Sequence, residues 1–371
     1  MAARAKAAAL VSRALRLRFS ACLGGSILLL TFLHFFFCGS YNYPHIPRAF
    51  VLDDLYKKVN PQLELSKSKP QCDYSRVLAS RKSINSWEVS TFQNYNDLPL
   101  DGLVNGSFAP AQCNPLVSVA VIVAHRSREE QRNIFLPYMH NFLRKQNIHY
   151  KIYIVEQEDE KPFNRALLHN MGALQAMADG FPCLVLHDVD LLPLDAANLY
   201  ACLSQPRHMS ARLDKFRFVL TYDTLVGGVL AVRTDHYDQL NGFSNRFEGW
   251  GGEDDDFYNK IKDNGLHVLR LEPELSRYAM LAHAPEAPNA ARARVLSENR
   301  RRAGLGGLGG LVGLGGLGGL GGLRGLRRLR GLGGLGGPDG LDGPDGLDEL
   351  RRRAPPRLRA YRLFTLVGVR S

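Results

Sequence analysis

Cys183-Leu184-Val185-Leu186-His187-Asp188-Val189-Asp190 runs a short apolar segment directly into two aspartates. A brief apolar run of this kind reads as a buried strand. In an extended segment the side chains at i and i+2 share a face, so Asp188 and Asp190 can serve one cation. A bare Asp-x-Asp is more often a turn, but its place at the end of a buried strand reverses that order. Working outward, Leu116-Val117-Ser118-Val119-Ala120-Val121-Ile122-Val123 and Tyr150-Lys151-Ile152-Tyr153-Ile154-Val155 are strands of the same type. A helical stretch after Arg126-Ser127-Arg128 reaches about Arg144, and a second helix covers 165–177. Strands alternating with helices predict an α/β fold with its ligand at the carboxyl ends of the strands.

A second stretch carries chemistry. Gly249-Trp250-Gly251-Gly252-Glu253-Asp254-Asp255-Asp256 places four consecutive acids behind three glycines and one of the two tryptophans. Adjacent carboxylates repel, so a fold gathers them where a metal, sugar hydroxyls or a proton to be removed stabilises the charge. Glycine lets backbone approach a ligand, and a Trp face is what sugars stack on. The competing reading is a solvated acidic loop or a helix start favoured by its dipole.

The net charge of +11 points at first to nucleic acid, but its distribution does not. Residues 1–18 carry five basic side chains and no acid, and residues 300–371 carry fourteen arginines against five acids, leaving −3 for 19–299. Nucleic acid is therefore not expected as a partner. Residues 19–39 contain no Asp, Glu, Lys or Arg over 21 positions, enough for one membrane crossing. They end in Phe35-Phe36-Phe37 rather than a small-residue cleavage motif, so a signal anchor is expected instead of a cleaved leader. Basic residues precede the span, which predicts a cytosolic tail (1–18) and an exported remainder, a single-pass type II arrangement.

Four cysteines on the exported side, Cys72, Cys113, Cys183 and Cys202, allow two disulfides in three connectivities. Asn105-Gly106-Ser107 is an N-glycosylation acceptor pattern. Residues 40–112 are polar without sustained periodicity and read as luminal stem and lead-in, with order beginning near Cys113. Residues 303–344 form a Gly/Leu-rich low-complexity insertion holding more than half of the 36 glycines. Such a composition makes a fixed core costly in entropy, so this segment is expected to be disordered or loosely associated.

Phe163-Asn164-Arg165-Ala166, Asp188-Val189-Asp190, Val226-Gly227-Gly228, Asn241-Gly242-Phe243-Ser244-Asn245, the Gly249 to Asp256 stretch and Arg277-Tyr278-Ala279-Met280-Leu281-Ala282-His283 together resemble the β-1,4-galactosyltransferase family. The resemblance implies a GT-A domain (a Rossmann-like nucleotide-diphospho-sugar transferase) over 113–302, completed by 345–371, behind a single transmembrane helix in the Golgi membrane. It implies a Mn²⁺-dependent inverting enzyme that uses a UDP-sugar and a terminal β-GlcNAc acceptor. Carried over position by position, Asp190, Met280 and His283 would hold the metal, although a thioether is a soft ligand for Mn²⁺. Asp254 would be the catalytic base, flanked by Glu253. The donor would contact Arg126, Arg128, Phe163, Arg165, Asp188, Val189, Leu225 and Trp250. The acceptor would contact Trp250, Gly252, Glu253, Asp254, Asp255 and Arg292. The disulfides would pair Cys72 with Cys113 and Cys183 with Cys202.

Three departures bear on function. Ala124 and His125 stand where the family has Pro and Phe. The segment after His283 resembles an acceptor lid that keeps Asn289 and Arg292 but is shortened. Leu225 occupies a position that is Tyr in vertebrate galactose-specific members and aliphatic in invertebrate N-acetylgalactosaminyltransferase-like members. A Tyr hydroxyl would crowd a 2-acetamido group, whereas Leu leaves apolar room, so transfer from UDP-GalNAc, UDP-Gal or both is expected. The alternatives are a strict UDP-Gal enzyme and a catalytically impaired sugar-binding protein of the same fold.

Overall fold

In the computed structural model the described residues are 2–37, 43–80, 82–83, 101–284, 288–312, 345–353, 356–361 and 364–370. Their strands are β1 (Ser107–Phe108), β2 (Ser118–His125), β3 (His149–Gln157), β4 (Cys183–Asp188), β5 (Leu191–Pro193), β6 (Arg207–His208), β7 (Arg212–Leu213), β8 (Val229–Arg233), β9 (Arg277–Met280), β10 (Arg357–Ala360) and β11 (Thr365–Val369). The helices used below are α1 (Ala2–Phe37), α2 (Ser75–Leu78), α3 (Glu129–Leu143), α4 (Arg165–Ala178), α5 (Thr234–Gln239), α6 (Glu253–Asp263), α7 (Arg292–Val312) and α8 (Gly346–Leu350).

The main sheet runs β10-β11-β3-β2-β4-β8-β6, with β1 added to β3. Its centre is parallel: β11 with β3, β3 with β2, and β2 with β4. Alternation along these buried strands divides the interior in two. Val119, Val121, Val123, Ile152, Ile154 and Val185 face the core that includes Phe135 and Leu136 of α3. Ala120, Ile122, Tyr153, Val155, Leu184 and Leu186 face the core that includes Leu167, Leu168 and Ala173 of α4. The α/β class expected from the sequence is therefore observed. The chain passes from β2 to β3 on one side and returns to β4 on the other, so a crevice opens at the carboxyl ends, where His125 and Asp188 lie. A second sheet, β5-β9-β7, brings the residues after Asp188 against the strand ending in Met280.

Both expected disulfides are present, Cys72–Cys113 and Cys183–Cys202. The second ties the start of β4 to Cys202, whose carbonyl accepts from the amide of Tyr56. Helix α1 contains one stretch, Leu15–His34, long and apolar enough to cross a membrane by length and composition.

The expectation that 40–112 is stem, with order starting near Cys113, needs correction. Tyr43, Val51, Leu55, Tyr74, Val77 and Leu78 are buried in the cores. Tyr43 donates its hydroxyl to the Leu271 carbonyl, and Asn60 donates its amide to Ser118 Oγ. These apolar residues are too widely spaced to show a period, because the segment wraps the domain mostly as irregular chain with only the single turn of α2. Of the Gly/Leu-rich insertion, residues 313–344 lie outside the described residues. The backbone of 303–312 continues helix α7, since each added residue gains a hydrogen bond once a helix is nucleated.

Beyond the insertion the chain docks firmly. Asp345 caps α8 through Oδ1, which also accepts the Asn245 amide at 2.7 Å, and Asn241 Nδ2 donates to the Asp345 carbonyl. Leu347 is fully buried and β11 fills the sheet beside β3. Leu347→Ala should therefore cost about 2–5 kcal/mol as a core truncation, lowering the thermal midpoint by several degrees in a calorimetric scan. No change would mean that the segment is not part of the folded body.

Candidate active site

Four consecutive carboxylates at the start of α6 point in four directions. Three glycines make the approach possible: Gly251 at φ 100° and Gly252 at φ 99° occupy the left-handed region, with Gly252 as N-cap. The helix dipole favours the acids that follow. Glu253 Oε1 lies 3.5 Å from Arg165 Nη1. Asp254 turns toward Gly227, where its Oδ2 would stand 2.7 Å from an added Cβ. Asp255 hydrogen-bonds Tyr222, and Asp256 Oδ1 accepts from Asn299 Nδ2 at 3.0 Å.

Arg165, the first residue of α4, joins this helix start to the end of β4. Its Nε donates to Asp188 Oδ1 at 2.7 Å while Nη1 faces Glu253. Its guanidinium thus bridges two protein carboxylates and positions them. Those charges outweigh the cost of burial and keep it firmly protonated. Burial, with Glu253 and Asp255 beside it, pushes the Asp254 carboxyl up to about 7. Burial likewise raises Glu253, whose Oε2 finds no hydrogen-bond partner among the described residues.

Asp190 lies just past β4. Its Oδ2 is 2.7 Å from His283 Nε2, and its carbonyl accepts the Leu281 amide, also at 2.7 Å. Burial and the neighbouring Asp188 raise its pKa to about 6. Met280 pairs with Leu191 across β5 and β9, one residue from Asp190, and its amide donates to Asp214 Oδ1. Among the described residues no group of three His, Cys, Asp or Glu side chains is gathered for a metal. Asp190 and His283 nevertheless supply one carboxylate oxygen and one imidazole nitrogen side by side. Carboxylate oxygen and imidazole nitrogen are donors that fit a divalent ion such as Mn²⁺.

Val189 lies in the turn between Asp188 and Asp190. Its side chain is buried in the core. Arg126 and Phe163 do come together, the guanidinium 5.2 Å from the ring centroid with Nη1 on the Lys161 carbonyl. Phe163 in turn accepts the Gly249 amide through its carbonyl. Arg128 donates to the Ala284 carbonyl, linking the strand end to the segment beyond His283. Trp250 is 59% exposed, with Arg292 over its ring at 5.9 Å and the Asn289 amide on its carbonyl. Leu225 is half-buried against Tyr43, Ala211 and Leu220, and its Cδ1 flanks Gly227 beside Asp254. Tyr222, Asp214, His208 and Arg270, which meet these residues, were not anticipated; they sit in irregular or very short elements with no motif to mark them.

Two family models match the chain: "N-terminal region of glycosyl transferase group 7" over residues 73–203 and "N-terminal domain of galactosyltransferase" over 207–284. Mouse beta-1,4-galactosyltransferase 2 is 40% identical over 189 residues, covering 50% of this chain and 51% of the relative. Rat beta-1,4-galactosyltransferase 6 is 38% identical over 204 residues, covering 54% and 53%. The chain thus spans about half the length of the curated relatives it matches. A solved mutant of Drosophila beta-1,4-galactosyltransferase 7 in complex with manganese, UDP-Gal and xylobiose is 33% identical, covering 48% of this chain and 79% of that one, with a TM-score of 0.43. The two family models take in the strand ending in Asp188 and the segment through His283, and by them and the identity to these relatives the chain belongs to the β-1,4-galactosyltransferase family.

Proposed function

We propose that the chain is an inverting β-1,4-glycosyltransferase that moves N-acetylgalactosamine, galactose or both from the UDP-sugar to a terminal β-GlcNAc of a glycoprotein or glycolipid. Family membership supports the reaction class. The observation that carries the reading is the Asp254 carboxylate, held against Gly227 and Leu225 at the mouth of the crevice where Arg165 joins the Asp188 strand to the α6 helix.

Asp254 is the base. A carboxyl pushed up to about 7 is a far better proton acceptor near neutrality than one at the ordinary value. It takes the proton of the acceptor 4-hydroxyl as that oxygen attacks the anomeric carbon from the face opposite UDP, and a single displacement inverts the centre. Glu253 holds Asp254 in register through Arg165 and, with Asp255, raises its basicity. Asp190 and His283, with Met280 next to them, would hold Mn²⁺, which when bound offsets charge developing on the departing diphosphate. Arg126, Arg128 and Phe163 bind the nucleotide end, and Trp250 with Arg292, Gly252 and Asp255 forms the acceptor platform. Leu225 leaves room for a 2-acetamido group.

The apolar stretch of α1, preceded by basic residues, and the two disulfides support a single-pass type II anchor in the Golgi membrane with a luminal catalytic domain. Asn105, exposed in the Asn-Gly turn before β1, is accessible for glycosylation.

The test is transfer to a β-GlcNAc acceptor by the detergent-solubilised chain with Mn²⁺, comparing UDP-Gal with UDP-GalNAc. Comparable or faster GalNAc transfer, suppressed selectively about tenfold or more by Leu225→Tyr, is expected. Transfer of galactose alone would leave the reaction class standing and remove the donor assignment. Asp254→Asn should abolish transfer while UDP-sugar binding persists in calorimetry; loss of both together would count against Asp254 as the base.

Asp254 also makes a stability prediction. Its carboxyl titrates near 7 in the folded chain against 3.8 as the reference, so between these values the folded state holds a proton that the unfolded state has lost. The contribution of this group to stability therefore falls as pH rises through that window. With a chelator present, Asp254→Asn should raise the thermal midpoint relative to the parent at pH 8 and leave it unchanged at pH 4.

A further inference from the structure

The loop 223–228 carries Leu225 and presents Gly227 to Asp254, and the backbone of that loop is held by side chains from other parts of the chain. Arg270 is 7% exposed, and its Nη2 donates to the carbonyls of Asp223 at 2.8 Å and Leu225 at 2.9 Å. Its Nε faces His208 Nδ1 at 3.2 Å. A guanidinium only donates, so Nδ1 is the acceptor and the imidazole proton sits on Nε2. That nitrogen lies 2.9 Å from the Gly227 carbonyl and donates to it. Ser210 Oγ donates to the same carbonyl at 3.3 Å and accepts the Val229 amide at 2.8 Å. His208 is fully buried, and burial together with Arg270 pushes its pKa down to about 3, which keeps this one tautomer neutral. Beneath the loop, Tyr43 packs in the same cluster as Ala211, Leu220 and Leu225, with the Arg270 guanidinium 5.9 Å from its ring centroid.

This arrangement fixes three successive parts of one short loop: Asp223 and Leu225 by Arg270, and Gly227 by His208 and Ser210. An added Cβ on Gly227 would lie 2.7 Å from Asp254 Oδ2 and 3.6 Å from Leu225 Cδ1, so a small movement of this backbone alters the space beside both. We propose that His208 and Arg270 are positioning residues that set donor selectivity, by fixing how far Leu225 stands from the 2-substituent of the sugar. The inference rests on the reading of the chain as a UDP-sugar transferase. Neither residue touches the donor; each acts through the loop carbonyls.

The experiment uses the detergent-solubilised full chain with Mn²⁺, measuring Kd for UDP-Gal and UDP-GalNAc by calorimetry and KM and kcat for each. If the parent binds neither UDP-sugar, the functional reading itself falls and this inference with it, before any variant is compared. Given binding, Arg270→Lys replaces a fork on two carbonyls with a single point charge. It should change the GalNAc-to-Gal ratio of kcat/KM by about tenfold, chiefly through KM. His208→Leu should shift the ratio in the same direction. His208→Gln, which supplies a carbonyl oxygen for Arg270 and an amide N–H for Gly227, should restore it. A merely structural role would lower both donors alike and leave the ratio within about twofold of the parent, which overturns the proposal. So would a His208→Gln ratio as displaced as that of His208→Leu. Should Arg270→Lys or His208→Leu fail to fold, Ser210→Ala removes only one donor from the Gly227 carbonyl. About a threefold shift of the ratio in that variant supports the proposal and no shift overturns it.

Discussion

Arg165 is held between carboxylates from two distant parts of the chain, Asp188 at the end of β4 and Glu253 at the start of α6. An arginine in this largely enclosed position is stable only with its charge compensated, and a buried acid is stable only with a cation close by. Each of the three groups therefore constrains the other two. The strand that ends in Asp188 and the helix that begins with Glu253 cannot move apart without stranding a charge. Everything else proposed for the site, including the place of Asp254 and its distance from Asp190 and His283, follows from that junction.

The junction also resolves a difficulty posed by four adjacent carboxylates. Repulsion is relieved by geometry: a helix turns about 100° per residue, so consecutive side chains diverge. Glu253 goes to Arg165, Asp255 to Tyr222 and Asp256 to Asn299, while Asp254 turns toward Gly227. The carboxylate turned toward Gly227 is the one whose proton affinity is raised to about 7. The reading of these acids as a helix start is observed, and the dipole at the N-terminus stabilises the group as a whole.

Support for the site comes from outside the segment that carries its motifs. Tyr43, a few residues beyond the apolar helix, packs beneath Leu225. Asp345, beyond the Gly/Leu-rich insertion, holds Asn245 and Asn241, which precede the glycine-rich approach to α6. Asn170 on α4 ties the same loop from the other side through the Phe243 carbonyl and Asn245 Oδ1. The approach to α6 is thus pinned by Asp345 from beyond the insertion and by Asn170 from α4, with Phe243, Ser244 and Phe247 buried, an arrangement that keeps its backbone fixed.

The sequence by itself determined the class of fold and the main features of the site. Apolar β-branched runs over β2, β3 and β4 specify buried parallel strands whatever surrounds them, and an Asp-x-Asp that terminates one of them lies at a carboxyl end by construction. The glycines before Glu253 declare a backbone turn that few other residues could make. Tertiary structure alone decided what each polar group does. Arg165 proved to join two carboxylates, Val189 to face the core, and His208 and Arg270 to hold a loop from elements too short to leave a pattern. The wrapping of 43–80 was equally hidden, since scattered apolar residues in mostly irregular chain have no period of their own and acquire a role only from the surface they cover. Periodicity is local and survives in the sequence, whereas a hydrogen bond between residues a hundred positions apart exists only once the chain has folded.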